Sequence, residues 1–237
     1  MRIALIGYGK MGRMIESVAR ERGHEVVCVV DPCVSVEEQP LAAAIDSEAF
    51  RSADVAIEFS RPDAAEGNVR AALEQGVAVV SGTTGWNVRG LQAELGSNHP
   101  GVIWSSNYSV GVNILFAVNR YLAQLLHKTG GYTPAITEIH HVHKLDAPSG
   151  TAVTLREGIV ESRKSKVESL KCPIESIREG EVPGIHEVRW ESEADVLTLR
   201  HEAKSRQGFA LGAVLAAEWL QGKTGWHTMQ EVLEIDD

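Results

Sequence analysis

The N-terminal part of the chain alternates between short, wholly apolar runs and segments whose apolar positions recur at helical spacing. Arg2 to Ile6, His24 to Val30, Asp54 to Phe59, Val77 to Val80 and Val102 to Trp104 predict strands. Between them, Met14, Ile15, Val18 and Ala19, then Ala64 to Gln75, then Leu91 to Leu95 predict helices. Strands that are apolar on both faces and alternate with helices predict a Rossmann-like, doubly wound parallel sheet of the α/β class.

The pattern changes after Asn107. Val110 to Leu126 reads as a long amphipathic helix and Thr133 to Val142 as a strand with partial alternation. Ser149 is suited to N-cap a helix from Thr151 to about Glu161. His186 to Glu191 and Val196 to Arg200 alternate like antiparallel strands, Gly208 to Leu220 reads as a helix, and Met229 to Leu233 as a last short one. Two domains are therefore expected. One is a dinucleotide-binding α/β domain over residues 1–107, with 207–237 packing back onto it. The other is a C-terminal α+β domain with an open mixed sheet over residues 108–206.

Composition narrows the function classes. The 237 residues are 43% hydrophobic and 23% charged, ordinary for a globular protein, and the net charge of −9 argues against a nucleic-acid binder. No signal peptide precedes Arg2, and no apolar run reaches the ~20 residues that span a bilayer, so a cytoplasmic protein without membrane partners is expected. Cys28, Cys33 and Cys172 cannot all pair and lack zinc-finger spacing; Cys28, inside an apolar strand, reads as a reduced, buried thiol.

Two motifs carry chemistry. Gly7-Tyr8-Gly9-Lys10-Met11-Gly12 follows a predicted strand and opens a predicted helix, the context a dinucleotide fingerprint requires. Gly7 permits the tight turn, Gly9 admits a pyrophosphate, and Gly12 lets helix and strand pack closely. Asp31 ends the second strand about 20 residues beyond Gly12, the offset of a carboxylate that holds the adenosine ribose. No Lys or Arg follows it until Arg51, although Lys10 and Arg13 stand in the glycine turn, so NADH is favoured and NADPH stays open. Gly82-Thr83-Thr84 and Ser105-Ser106-Asn107-Tyr108 follow later strands at a carboxyl edge, where doubly wound sheets bind ligands.

The second motif is Glu138 to Ala152, with His140, His141, His143, Lys144 and Asp146 beside a turn-forming Pro148-Ser149-Gly150. Such a density of titratable groups suits proton transfer and anion binding. In an extended strand His140 and Lys144 would stand ~13 Å apart, so both reach one small substrate only if the strand ends and bends near His141. Gly150 and Thr151 open a helix and form an anion site. No metal is expected: His141 and His143 can chelate, but Leu145 stands where a hydrolase acid would follow, and Lys144 repels a cation. Together His141, Lys144, Gly150 and Thr151 suit a compact dicarboxylate.

This segment resembles the signature of the 4-hydroxy-tetrahydrodipicolinate reductase (dihydrodipicolinate reductase) family of lysine and diaminopimelate biosynthesis. The resemblance extends to the glycine turn, Gly82 to Gly85, Asn107 to Asn113, Arg178-Glu179-Gly180 and His201 to Arg206. It implies an NAD(P)H-dependent reductase whose His140 exchanges the proton, whose Lys144 donates one, and whose His141, Gly150 and Thr151 hold substrate. It places the cofactor on Gly7 to Gly12, Asp31, Gly82 to Thr84 and Ser105 to Tyr108. It also implies a homotetramer built through the second domain. Departures lie between Asp31 and Asp54, where this chain is short, and at Ser105-Ser106, where alanines are frequent; both bear on cofactor preference. Arg178, His186 and the polar residues at 201–206 are expected to shape the second domain or close the cleft. Two alternatives stand beside this reading: a related dehydrogenase acting on another small imine or semialdehyde, and a non-catalytic, nucleotide-sensing Rossmann module.

Overall fold

The computed structural model describes residues 1–162 and 171–235; the parts of the expected domains over 163–170 and 236–237 lie outside it. In chain order the elements are β1 (Arg2–Ile6), α1 (Lys10–Glu21), β2 (Glu25–Val30), α2 (Glu48–Arg51), β3 (Val55–Glu58), α3 (Pro62–Glu74), β4 (Ala78–Ser81), α4 (Val88–Leu95) and β5 (Val102–Trp104). There follow α5 (Val110–Thr129), β6 (Thr133–His140), α6 (Gly150–Glu161), β7 (Ile174–Arg178), β8 (Ile185–Glu191), β9 (Val196–Glu202), α7 (Gln207–Leu220), β10 (Trp226–His227) and α8 (Met229–Val232). The chain divides into two compact units, one of Met1–Ser109 with the segment from Arg206 onward, the other Val110–Ser205. Among the described residues no helix is long and apolar enough to cross a membrane.

In the first unit six parallel strands run in the order β10-β5-β4-β3-β1-β2. β3 and β4 are buried at every position, which is why they read as unbroken apolar runs. The chain steps outward from β1 to β2 and then returns to β3 on the other side of β1. The carboxyl ends of β1 and β3 thus form the switch point at which such sheets take ligands. One face of the sheet packs on α1 and α7; Ala210, Ala213, Val214, Ala216, Ala217 and Leu220 of α7 are completely buried in that core. β10, of two residues, and α2, of four, are too short to show a period in the sequence.

The second unit holds the mixed sheet β7-β6-β8-β9, with β6 and β7 parallel and the other pairs antiparallel. Its core joins Val112, Phe116 and Ala123 of α5 and Leu155 and Ile159 of α6 to Ile136, Val188 and Trp190 of the sheet. Full burial of each of the Val, Leu, Ile and Phe side chains is worth about 1.5–3 kcal/mol. β6 stops at His140, two residues before the expected end, because the chain turns there and the Lys144 N–H donates to the His141 carbonyl at 3.1 Å. The bend needed to bring Lys144 back toward His140 is present. β7 was not foreseen: Ile-Glu-Ser-Ile-Arg lacks sustained alternation, and its partner strand supplies the order.

Candidate active site

Alternation along β6 buries Pro134, Ile136, Glu138 and His140 on one face. The same strand face thus begins as core and ends as chemistry. Register does the rest. β7 sets Arg178 opposite His140 and Ser176 opposite Glu138, and β8 sets His186 opposite Glu138. β9 continues the row by setting His201 opposite His186. Four strands therefore deliver an arginine, a carboxylate and three imidazoles to one patch, although these residues are scattered over some sixty positions of sequence.

Within the patch, His140 Nδ1 forms a short hydrogen bond with Glu138 Oε2, and Arg178 donates to Glu138 Oε1 at 3.0 Å. Glu138 is fully buried and His140 nearly so. Burial alone would raise the Glu138 carboxyl, but hydrogen bonds from Ser176, His140 and Arg178 outweigh it and hold the group below its ordinary value. His140 is lowered: burial dominates, Glu138 pulls the other way, and the charges of Lys144 and Arg178 add to the depression. With Nδ1–H assigned to the carboxylate, Nε2 is the nitrogen left to exchange a proton.

His186 stacks edge-on to His140, with ring centroids 5.0 Å apart. Burial, reinforced by the neighbouring His140 charge, lowers it to about 3, so it is neutral at physiological pH. Its Nε2 lies 3.2 Å from Ser149 Oγ, and Ser149 N-caps α6 by accepting from the Ala152 N–H at 3.2 Å. His186 thereby links the Glu138–His140 pair to the helix start that carries Gly150 and Thr151. Arg178 secures the intervening turn, donating to the carbonyls of Lys144 at 3.3 Å and Asp146 at 2.6 Å. Lys144 itself is paired with Asp146 at 2.7 and 2.9 Å.

Glu138, His140 and His186 each offer a ligand atom within 4.8 Å of the others. Of their polar atoms, His140 Nδ1 and Glu138 Oε2 are bonded to each other, and Arg178 pairs with Glu138 Oε1.

In the first unit, the glycine turn lies at the switch point. Gly7 has φ +89°, and a Cβ there would overlap the Phe59 carbonyl; a Cβ at Gly12 would overlap the Gly7 carbonyl oxygen. Gly9, by contrast, has nothing within 4 Å of its Cβ position. It also N-caps α1 without a side-chain bond, and no acidic residue stands in the first turn. That leaves open, positive backbone for a pyrophosphate, so the residues present fit a dinucleotide. Asp31 is held by the N–H groups of Tyr8 at 2.6 Å and Cys33 at 2.8 Å, which fixes its carboxylate beside the turn.

Residues 1–108 match the model of the dihydrodipicolinate reductase N-terminus, and residues 111–233 match that of its C-terminus. The chain belongs to the dihydrodipicolinate reductase family. A 4-hydroxy-tetrahydrodipicolinate reductase of Christiangramia forsetii is 43% identical over 242 residues, covering 98% of each chain. One of Archaeoglobus fulgidus is 37% identical, covering 99% of this chain and all of that protein. The fold is shared with a dipicolinate-bound dihydrodipicolinate reductase of Paenisporosarcina, at TM-score 0.76 and 24% identity over 98% of each chain.

Against this family frame, the structure gathers His140, His141 and Lys144 at the end of β6 and Gly150 and Thr151 at the start of α6. It gathers Gly7 to Gly12, Asp31, Gly82 to Thr84 and Ser105 to Tyr108 at the carboxyl edge of one parallel sheet. Several of the latter point inward. The Tyr8 hydroxyl bonds Glu16 and Gln39, Met11 packs against the core, and Lys10 is exposed. Thr83 turns its hydroxyl to Glu58 at 2.7 Å, and its carbonyl accepts from Trp86 and Trp104 at 2.8 and 2.9 Å. Tyr108 is 2% exposed, with its hydroxyl donating to the Ser81 and Ile103 carbonyls. Sequence reasoning assigned no role to Glu138 and only a shaping role to Arg178 and His186. The available signal was the phase of Glu138, two residues before His140 and so on the same strand face.

Proposed function

We propose that this chain reduces 4-hydroxy-tetrahydrodipicolinate to tetrahydrodipicolinate, with loss of water, in lysine and diaminopimelate biosynthesis. The observation that carries the reading is the buried Glu138–His140 pair beside Lys144 and the α6 start, in a chain of this family. When bound, the reduced nicotinamide supplies the hydride. His140 Nε2 exchanges the proton, oriented through Nδ1 by Glu138, and the Lys144 ammonium donates a second. His141, together with the N–H groups and dipole of α6 at Gly150 and Thr151, holds the substrate carboxylates. Arg178 keeps the turn that carries Lys144 in place.

The cofactor is NADH in preference to NADPH. A fixed Asp31 carboxylate accepts from the ribose hydroxyls and repels a 2′-phosphate, and of the two candidate cations in the glycine turn, Lys10 and Arg13, Arg13 is stacked on the Tyr8 ring at 4.5 Å. We read the protein as a cytoplasmic homotetramer. Support comes from free thiols at Cys28, Cys33 and Cys172 and from exposed apolar side chains on the second unit, Ile114, Val118, Tyr121 and Leu125 of α5 with Val196 and Leu197 of β9.

The test generates the substrate in situ from pyruvate and aspartate semialdehyde with the preceding synthase and follows loss of reduced nicotinamide absorbance. Synthase-dependent consumption, faster with NADH, is expected, and His140→Gln should lose most turnover while keeping cofactor affinity. Cofactor binding without consumption would leave the nucleotide-sensing alternative in its place.

A further inference from the structure

Glu58 ends β3 at the carboxyl edge of the parallel sheet and is completely buried, yet no step above uses it. Its carboxylate Oε1 accepts from the Ser60 N–H at 3.0 Å, from Ser60 Oγ, and from Thr83 Oγ1 at 2.7 Å; Oε2 accepts from Ser81 Oγ at 2.6 Å. All these partners are neutral. The hydroxyl protons are committed to it by their own surroundings: Ser60 Oγ accepts from Asn68 Nδ2 at 3.0 Å, and Thr83 Oγ1 accepts from the Ser60 N–H at 2.9 Å. Three hydroxyls and a backbone N–H thus converge on the two oxygens, a donor set that suits a carboxylate acceptor.

The partners lie at the end of β4 and on the turns after β3 and β4. The second of these turns contains Gly82, where a Cβ would strike the Phe59 ring, so the two turns are packed flush as well as bonded. The charge also reaches other groups: Tyr108 is held well above its ordinary pKa first by burial and then by Glu58. A buried anion tied by short bonds is a fixed field source, and it costs no reorganisation when charge develops nearby.

We propose that Glu58 is a positioning residue for the nicotinamide, locking the Ser60 and Ser81–Thr83 turns together and lending them a fixed negative charge that favours the oxidised, cationic ring over the neutral reduced one. This rests on the assignment of the Gly82–Thr84 turn to the cofactor. A group that only braced the turns would affect both redox forms alike. A charge discriminates between them: for an assumed separation of ~10 Å and a permittivity of ~20, one unit charge is worth roughly tenfold in relative affinity.

The experiment measures dissociation constants of NAD⁺, NADH and the uncharged isostere benzamide adenine dinucleotide for the wild-type protein, Glu58→Gln and Glu58→Asp. In the wild type NAD⁺ should bind on the order of tenfold more tightly than the benzamide analogue. Glu58→Gln should erase most of that margin and weaken NAD⁺ relative to NADH by a similar factor, while Glu58→Asp, which keeps the charge, should hold both ratios near wild type. If Glu58→Gln does not fold, Glu58→Asn removes the same charge in its place, and equal wild-type affinities for NAD⁺ and the analogue still refute the idea without any variant. Equal wild-type affinity for these two, or an equal loss of NAD⁺ and NADH in Glu58→Gln, overturns the proposal. Failure of the wild type to bind any of the three would instead remove the cofactor assignment on which it stands.

Discussion

Replacing Glu138 by glutamine isolates what the carboxylate does for His140. The substitution keeps size and one acceptor but removes the charge from a fully buried position bonded to both His140 and Arg178. A hydrogen bond involving a charged group is worth about 1.5–3 kcal/mol net. If that stabilisation is felt by the imidazolium during proton transfer, turnover falls about 10- to 100-fold. The pH profile changes too. Burial, Lys144 and Arg178 all lower the His140 pKa and Glu138 alone opposes them, so its removal lowers that pKa further. The limb of kcat/KM that requires protonated His140 then moves to lower pH. Arg178, left beside a neutral amide, should also cost about 1–3 kcal/mol of stability, read from urea midpoints. The assay is the synthase-coupled consumption of NADH between pH 5.5 and 9, below the variant's unfolding temperature, with NADH affinity as a control. A variant within threefold of wild type whose acidic and basic limbs do not move would refute the orienting role of Glu138.

Further outcomes follow from the same geometry. His186, lowered from 6.5 to about 3, binds its proton more readily in the unfolded chain. Its contribution is therefore fully present above about pH 6.5 and is lost progressively toward pH 3, at up to about 1.4 kcal/mol per pH unit. Between pH 7.5 and 5.5, urea unfolding should show a loss of stability that is smaller in His186→Gln by about 1.4 kcal/mol, an average of about half a proton; equal losses would assign the effect elsewhere. The glycine turn separates packing from binding. Gly12→Ala collides with the Gly7 carbonyl and should lose about 1–3 kcal/mol of stability. Gly9→Ala meets nothing within 4 Å, so its thermal midpoint without cofactor should match wild type while NADH affinity drops at least tenfold. Calorimetry with and without NADH checks both.

The doubly wound half was legible because its signals are local: buried parallel strands write unbroken apolar runs, and the glycine turn stands between a strand and a helix that follow each other in sequence. The Ser149 cap and the bend after His140 were legible for the same reason. The Glu138–Arg178–His186 assembly was not, because it exists only through the register of β6 with β7 and β8, and register is a property of pairing between distant segments. Side-chain direction in loops was likewise out of reach. The motif containing Thr83 and Tyr108 could be placed at the sheet edge, but nothing in it said that their hydroxyls turn inward, to Glu58 and to the Ser81 and Ile103 carbonyls. Short elements such as β10 gain their identity from a neighbour, here β5.

The first unit is closed by the last part of the chain. The apolar face of α7 completes the core over α1, and β10 adds the outer strand beside β5. A ribosome therefore releases the five strands from Arg2 to Trp104 long before it makes the helix that covers them. Val110–Ser205, continuous in sequence, has all its own partners first. Synthesis from the N-terminus thus reverses the ordinary order of domain maturation: the later-made unit can finish earlier, and the nascent sheet must keep its uncovered face out of trouble until α7 and β10 emerge.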